Sequence, residues 1–90
     1  GMQLPEETRD DLIRRLRRAE GQVRAVQRML GDDSDCRDIV TQISAASRAL
    51  DQVGFRLLAT GMVTCAKNPE AAAEDGYSVE EIERLFTKLA

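Results

Sequence analysis

One helical pattern in the sequence is too long for a compact chain of this size. Apolar residues recur at helical spacing from about residue 35 to residue 67, where Asn68-Pro69 ends the pattern, and Ser34 or Asp33 can cap its start. A helix of about 33 residues is about 50 Å long, whereas a compact chain of 90 residues has a radius of gyration of only about 12 Å. The rest of the chain cannot enclose such a helix, so we expect its apolar face to pack against another copy.

A helical pattern lies on each side of the long one, and no segment alternates as a strand does. The first pattern covers residues 5–30, and Gly21 in its middle is interpreted as a point of close packing. The last is short and starts with a capping box at Ser78 and Glu81, after a linker at residues 70–76 that is at most partly helical. We therefore predict an all-α fold, with two long antiparallel helices and a short third helix in a single domain of residues 1–90.

Charge is unevenly distributed along the chain. The net charge is -3, yet residues 9–28 hold seven arginines against three acidic residues, a local charge of +4. Five of these arginines share the face opposite the apolar stripe of the first helix: Arg14, Arg17, Arg18, Arg24 and Arg28. Such a face is either solvated or binds phosphates, and a surface this rich in arginine favours duplex DNA. Only three residues are aromatic, which weakens single-strand binding by base stacking.

Two cysteines, Cys36 and Cys65, lie near the two ends of the long helical pattern. They fall about 20° apart on one face and about 43 Å apart along the axis, so a continuous helix excludes an intrachain disulfide. If two copies pack antiparallel about a midpoint near Leu50, Cys36 of one meets Cys65 of the other, giving two equivalent two-thiol sites. They are either small buried apolar residues or reactive thiols.

The chain contains no histidine, which excludes several classes of function. Ser-His-Asp and Cys-His catalysis, and metal sites that need imidazole, are ruled out, and we expect no enzyme activity. No apolar run approaches the roughly 18 residues of a membrane span, so we expect no membrane partner. Two widely spaced cysteines fit free thiols in a cytoplasmic protein better than a secreted disulfide scaffold.

Four features of the sequence resemble the copper-sensitive operon repressor family (CsoR/RcnR/FrmR/CstR). They are the arginine-rich residues 15–30, Cys36 at the start of the second helix, and the Gln-Ile-Ser segment within residues 38–45, followed by Cys65. The resemblance covers nearly the whole chain. It implies an all-helical antiparallel dimer that pairs into a tetramer. It also implies a bacterial repressor that binds double-stranded operator DNA until an inducer reaches the cysteine site.

The resemblance also assigns roles to individual residues. Cys36 and Cys65 match the sensing thiols. Arg15 matches a DNA-binding position, with Arg14 and Arg18 as companions. A second basic position of the family is Gln52 here, and Arg48 is expected to compensate for it. Glu81 matches an acidic position that supports the sensing site.

Gly61 stands where copper-sensing members have a histidine, four residues before the second cysteine. The chain in this respect resembles the persulfide-sensing CstR branch, so we expect reactive sulfur as the inducer and no cofactor. One alternative is a Cu(I)-responsive repressor whose ligands are the thiolates of Cys36 and Cys65 alone. Another is a helical assembly module that does not bind DNA.

Overall fold

The computed structural model describes residues 4–90 and contains four helices there. They are α1 (Glu6–Gly31), α2 (Cys36–Lys67), α3 (Pro69–Glu74) and α4 (Val79–Leu89). No strand occurs among the described residues, which confirms the all-α prediction, and residues 1–3 of the expected domain lie outside them. The molecule measures 54 × 25 × 15 Å with a radius of gyration of 16.8 Å, well above the value of about 12 Å for a compact chain.

Helices α1 and α2 form an antiparallel hairpin across a four-residue turn. Asp33 lies in this turn in the left-handed region, with φ 53°, and the N-cap of α2 is Asp35, with an extended backbone. The Asp35 carboxylate accepts the Arg37 backbone N–H at 2.8 Å. The expectation that Ser34 or Asp33 caps this helix is therefore wrong by one or two residues.

Only part of the apolar stripe of α1 is buried within the chain. Leu12 and Ala19 are buried at the α1–α2 contact, as is Ala46 on α2. Leu16, Val23 and Leu30 remain 42–60% exposed, and Val23 lines a groove with Ile43 and Leu50 of α2. The sequence predicts an uncovered apolar surface on this hairpin, and surfaces of this kind are typical of protein–protein interfaces.

The glycine that provides close packing is Gly54, and Gly21 does not. A Cβ atom on Gly21 would meet nothing within 4 Å in the described structure, so the expected packing point is wrong for the single chain. A Cβ on Gly54 would lie 2.8 Å from Leu89 Cδ1, which is too close. Helix α4 can therefore approach α2 this closely only because residue 54 has no side chain.

Helices α3 and α4 cover the C-terminal half of α2. A small core forms there from Leu58, Cys65, Ala72 and the fully buried Ile82, with Phe55 of α2 and Phe86 of α4 stacked nearby, their ring centroids 6.1 Å apart. The segment expected to be a linker contains α3, because the Asn68 side chain caps it and Pro69 starts it. The C-terminal part is thus two helices where one was predicted.

None of the helices described in residues 4–90 combines the length and apolar character that crossing a bilayer demands.

Candidate two-thiol site and arginine cleft

The two cysteines lie on one unbroken helix and do not meet within the chain. Cys36 is the first residue of α2 and is exposed, whereas Cys65 is in its last turn and only 4% exposed. The rise of an α-helix places them about 43 Å apart. Any chemistry that joins the two thiols therefore requires Cys36 from one molecule and Cys65 from another.

The Cys36 thiol stands at the positive end of the α2 dipole. Its side chain is exposed in the first turn of α2. The neighbouring Asp35 carboxylate accepts the Arg37 backbone N–H and lies 3.8 Å from the Arg37 guanidinium. Cys36 is thus the accessible thiol of the pair, at a place where a soft cation or an electrophilic sulfur can reach it.

The Cys65 thiol borders two small cavities beneath α3 and the loop before α4. The first, of about 200 Å³, is lined by Thr64, Cys65, Asn68, Ala71, Ala72, Asp75 and Tyr77. The second, of about 240 Å³, reaches Ser78 and Glu80 on the other side of the thiol. Space for a ligand or an added sulfur atom therefore exists beside Cys65, although the thiol itself is covered.

Glu81, expected to support the sensing site, has its carboxylate engaged elsewhere. One oxygen accepts hydrogen bonds from Arg84 Nε and Nη2, at 3.2 and 2.8 Å. The next residue, Ile82, packs into the core with Cys65 instead. The acidic side chains that line the cavities beside Cys65 are Asp75 and Glu80, which the sequence did not single out.

The donor set limits which metal ion the thiols can hold. No group of three His, Cys, Asp or Glu side chains comes together as a metal site within residues 4–90. Gly61, buried one turn before Cys65, supplies no ligand. Two thiolates suit a soft ion such as Cu(I), which accepts a low coordination number, and do not complete the four-ligand sites that Zn²⁺ prefers. The residues present fit a bis-thiolate Cu(I) site shared by two molecules.

Three arginines from two helices converge on a cleft, which we call the arginine cleft. Its volume is about 290 Å³, and it is lined by Arg15, Arg18, Gln22, Ala45, Arg48, Ala49 and Gln52. The lining contains no acidic side chain. The small side chains of Ala45 and Ala49 leave space between the longer lining residues. A concave site of this kind suits an anion such as a phosphate.

The predicted DNA-binding residues do not all share the cleft. Arg15, Arg18 and Arg48 line it, together with Gln52, which stands where a basic residue was expected. Arg14 lies outside, with a side chain that is 69% exposed and 3.5 Å from Asp11. Arg18 and Arg48 form no ion pair with any described residue, so both guanidinium groups are available to an anion.

Asp11 holds Arg15 from one helical turn away. The Arg15 Nε–H donates to Asp11 Oδ2 at 2.9 Å, and this hydrogen bond lowers the pKa of the Asp11 carboxyl below its usual value. Asp11 also lines a separate groove, together with Glu7, Thr8 and Arg56. The spacing of four residues between Asp11 and Arg15 was a visible signal for this pair, which sequence reasoning missed.

Comparison with known proteins places this geometry among transcriptional repressors. The profile of the family described as "Metal-sensitive transcriptional repressor" matches residues 8–88. The copper-sensing transcriptional repressor RicR of Mycobacterium tuberculosis is 44% identical over 68 residues, which cover 76% of this chain and 69% of RicR. The copper-sensing transcriptional repressor CsoR of Bacillus subtilis is 34% identical over 81 residues, or 90% of this chain and 80% of that protein.

A solved structure gives the same result for the fold. The crystal structure of the copper-sensing repressor CsoR with Cu(I) from Geobacillus thermodenitrificans NG80-2 superimposes with a TM-score of 0.73 at 37% identity. The match covers 99% of this chain and 88% of that one.

Proposed function

The chain belongs to the family of metal-sensitive transcriptional repressors, and from this premise we propose that it binds operator DNA and releases it when Cu(I) joins Cys36 of one protomer to Cys65 of another. The observation that carries the proposal is the unbroken α2 helix, which separates the thiols within a chain and so requires two protomers. The relatives are named for copper sensing, and this favours Cu(I) over the persulfide that the sequence led us to expect.

The uncovered apolar surface supports an antiparallel dimer. The exposed side chains of Val23, Ile43 and Leu50 line or flank one groove along the hairpin. Leu50 lies midway between the two cysteines, so a twofold axis near it would bring each Cys36 to the partner's Cys65. We infer a dimer with two thiol sites, which pairs into a tetramer.

Cys65 links the thiol site to the packing of α4. Its side chain lies in the same core as Ile82 and Ala72, and this core holds α3 and α4 against α2. Cu(I), when bound, supplies bonds to the two thiolates. Cys65 would hold the ion only if its thiolate faced the partner, and this would disturb its contacts with Ile82 and change how the two hairpins pack against each other.

The arginine clefts supply the contact with DNA. Arg15, Arg18 and Arg48 of each protomer offer guanidinium groups to backbone phosphates, and an oligomer repeats the cleft at fixed intervals. A change in how the protomers pack alters those intervals, so the clefts no longer match the phosphates of one duplex. Release follows without any direct contact between inducer and DNA.

The test is DNA binding as a function of buffered free Cu(I). A duplex selected from a random pool, labelled for fluorescence anisotropy, is titrated with protein, and Cu(I) is set by a competing chelator. Cu(I) should weaken binding at least tenfold in the wild type and leave Cys36→Ser and Cys65→Ser unchanged. Thr41→Ala, an exposed change on α2, is the control that keeps the response. Release of DNA from Cys36→Ser would disprove the two-thiol mechanism.

Persulfide sensing remains a second candidate because Gly61 cannot ligate a metal and the chain has no histidine. The Cys36 thiolate would attack the outer sulfur of an organic persulfide, forming Cys36–S–SH and releasing a thiolate. The partner's Cys65 thiolate would then attack the inner sulfur, forming an interprotomer disulfide and releasing HS⁻. The same anisotropy assay with a persulfide, followed by non-reducing mass spectrometry, separates this candidate from Cu(I).

Membership in a repressor family argues against the third interpretation, a helical assembly module that does not bind DNA. Binding to duplex DNA that weakens as salt rises, and weakens further in Arg15→Ala, would exclude that module.

A further inference from the structure

The arginine cleft contains one guanidinium that is held in place before any ligand arrives. Arg15 is 35% exposed at its side chain, and its Nε–H donates to Asp11 Oδ2 at 2.9 Å. Its two terminal nitrogens make no hydrogen bond within the described residues. The hydrogen bond thus uses the inner edge of the guanidinium and leaves the outer fork free for a phosphate.

Asp11 and Arg15 line different concave surfaces of the molecule. Asp11 lines a neighbouring groove with Leu12, Arg56 and Thr60, whereas Arg15 lines the arginine cleft. Asp11 is not one of the residues that line the cleft, although its carboxylate lies 2.9 Å from Arg15 Nε and offsets part of the charge of that guanidinium. Arg18 and Arg48 have no such anchor in residues 4–90, so Arg15 is the one cleft arginine whose orientation is fixed in advance.

We propose that Asp11 is a positioning residue for DNA binding, which orients Arg15 so that its outer fork grips one backbone phosphate in the arginine cleft. The inference rests on the proposed function, because it assumes that the cleft binds duplex DNA. Arginine has much side-chain entropy to lose on binding, and an anchored guanidinium loses less of it.

Two effects of removing Asp11 have opposite signs, which makes the inference testable. Loss of one negative charge beside an arginine-rich face strengthens the long-range attraction of DNA. Loss of the anchor leaves Arg15 free to adopt many rotamers and weakens the specific contact. If Asp11 positions Arg15, the weakening caused by the lost anchor should exceed the strengthening caused by the lost charge when the selected duplex is bound.

The experiment compares Asp11→Ala with Asp11→Asn and Glu20→Ala in the full chain. Asn keeps an oxygen that accepts the Arg15 Nε–H, whereas Ala does not. Glu20 forms an equivalent pair four residues before Arg24, 3.3 Å from it and outside the cleft, so Glu20→Ala removes the same charge without touching Arg15. Circular dichroism checks that each variant keeps its helices.

Asp11→Ala should bind the selected duplex about fivefold to tenfold more weakly than the wild type. Asp11→Asn and Glu20→Ala should bind as tightly as the wild type or more tightly. In an Arg15→Ala background, Asp11→Ala should cause no further weakening. If Asp11→Ala tightens binding as Glu20→Ala does, the positioning role is wrong while the repressor function stands. A wild-type protein that binds no duplex at low salt would overturn both proposals.

Discussion

Truncation of Ile82 should expose the buried thiol. Ile82 is the one fully buried large side chain among the described residues, and it lies in the small core that holds α4 against α2 and Cys65. Shortening a fully buried isoleucine to alanine removes about 3 kcal/mol, through lost burial and a residual cavity. That free energy corresponds to an increase of about a hundredfold in the population in which α4 is undocked. Cys65 is reached by a thiol reagent mainly from that population.

The assay measures the rate of thiol labelling in the Cys36→Ser background, where Cys65 is the remaining cysteine. Ile82→Ala should label up to about a hundredfold faster, and Ile82→Val only severalfold faster, since it removes a single methylene. Glu83→Ala, an exposed change on the same helix, should label at the parent rate. Equal rates for Ile82→Ala and its parent would show that α4 does not control access to Cys65, and the proposed link between the thiol and α4 would fail.

Three further predictions concern a turn, the DNA contact and pH. Gly76 has φ 85°, which disfavours side chains, so Gly76→Ala should lower the free energy of unfolding by about 1 kcal/mol or more in urea titrations, and Gly76→Asn by less. Arg48→Gln should weaken DNA binding similarly for all sequences and make the slope of log affinity against log salt shallower by about one unit; an unchanged slope would remove Arg48 from the contact. The hydrogen bond from Arg15 lowers the pKa of the Asp11 carboxyl from 3.8. The stabilisation of the fold by this carboxylate is therefore fully present above pH 3.8 and is lost as the pH falls through the lowered pKa. The difference in melting temperature between the wild type and Asp11→Ala should therefore shrink in strong acid, and a constant difference would contradict this assignment.

Helix bounds were predictable where one periodic pattern extends over many turns. The pattern that ends at Asn68-Pro69 placed the end of α2 correctly, since it depends only on local signals. The same two residues also start α3, with Asn68 accepting the Ala71 N–H and Pro69 in the first turn. The start of α3 at these residues was not predicted, because this helix has only six residues and too few apolar positions to show a helical period.

The candidate site was predictable in its chemistry and less so in its geometry. Spacing alone placed Cys36 and Cys65 on one stripe of a continuous helix. The contrast between an exposed and a buried thiol was not predictable, because it depends on how α4 docks, and this in turn depends on Leu89 fitting against Gly54. Likewise the arginines were visible in the sequence, but the space that Ala45 and Ala49 leave between them emerges only when two helices pack.

Because the molecule is thin, the stability of the repressor is expected to depend on its concentration. A body 15 Å deep has room for one layer of side chains between its helices, and in the proposed dimer a second copy would supply the next layer. Dilution then acts on the native state as a denaturant does, and the melting temperature should rise with protein concentration. If the native state depends on the proposed assembly, a cell that makes too few copies would lose the unassembled chains to proteolysis, and assembly would set a lower limit on how much repressor is present.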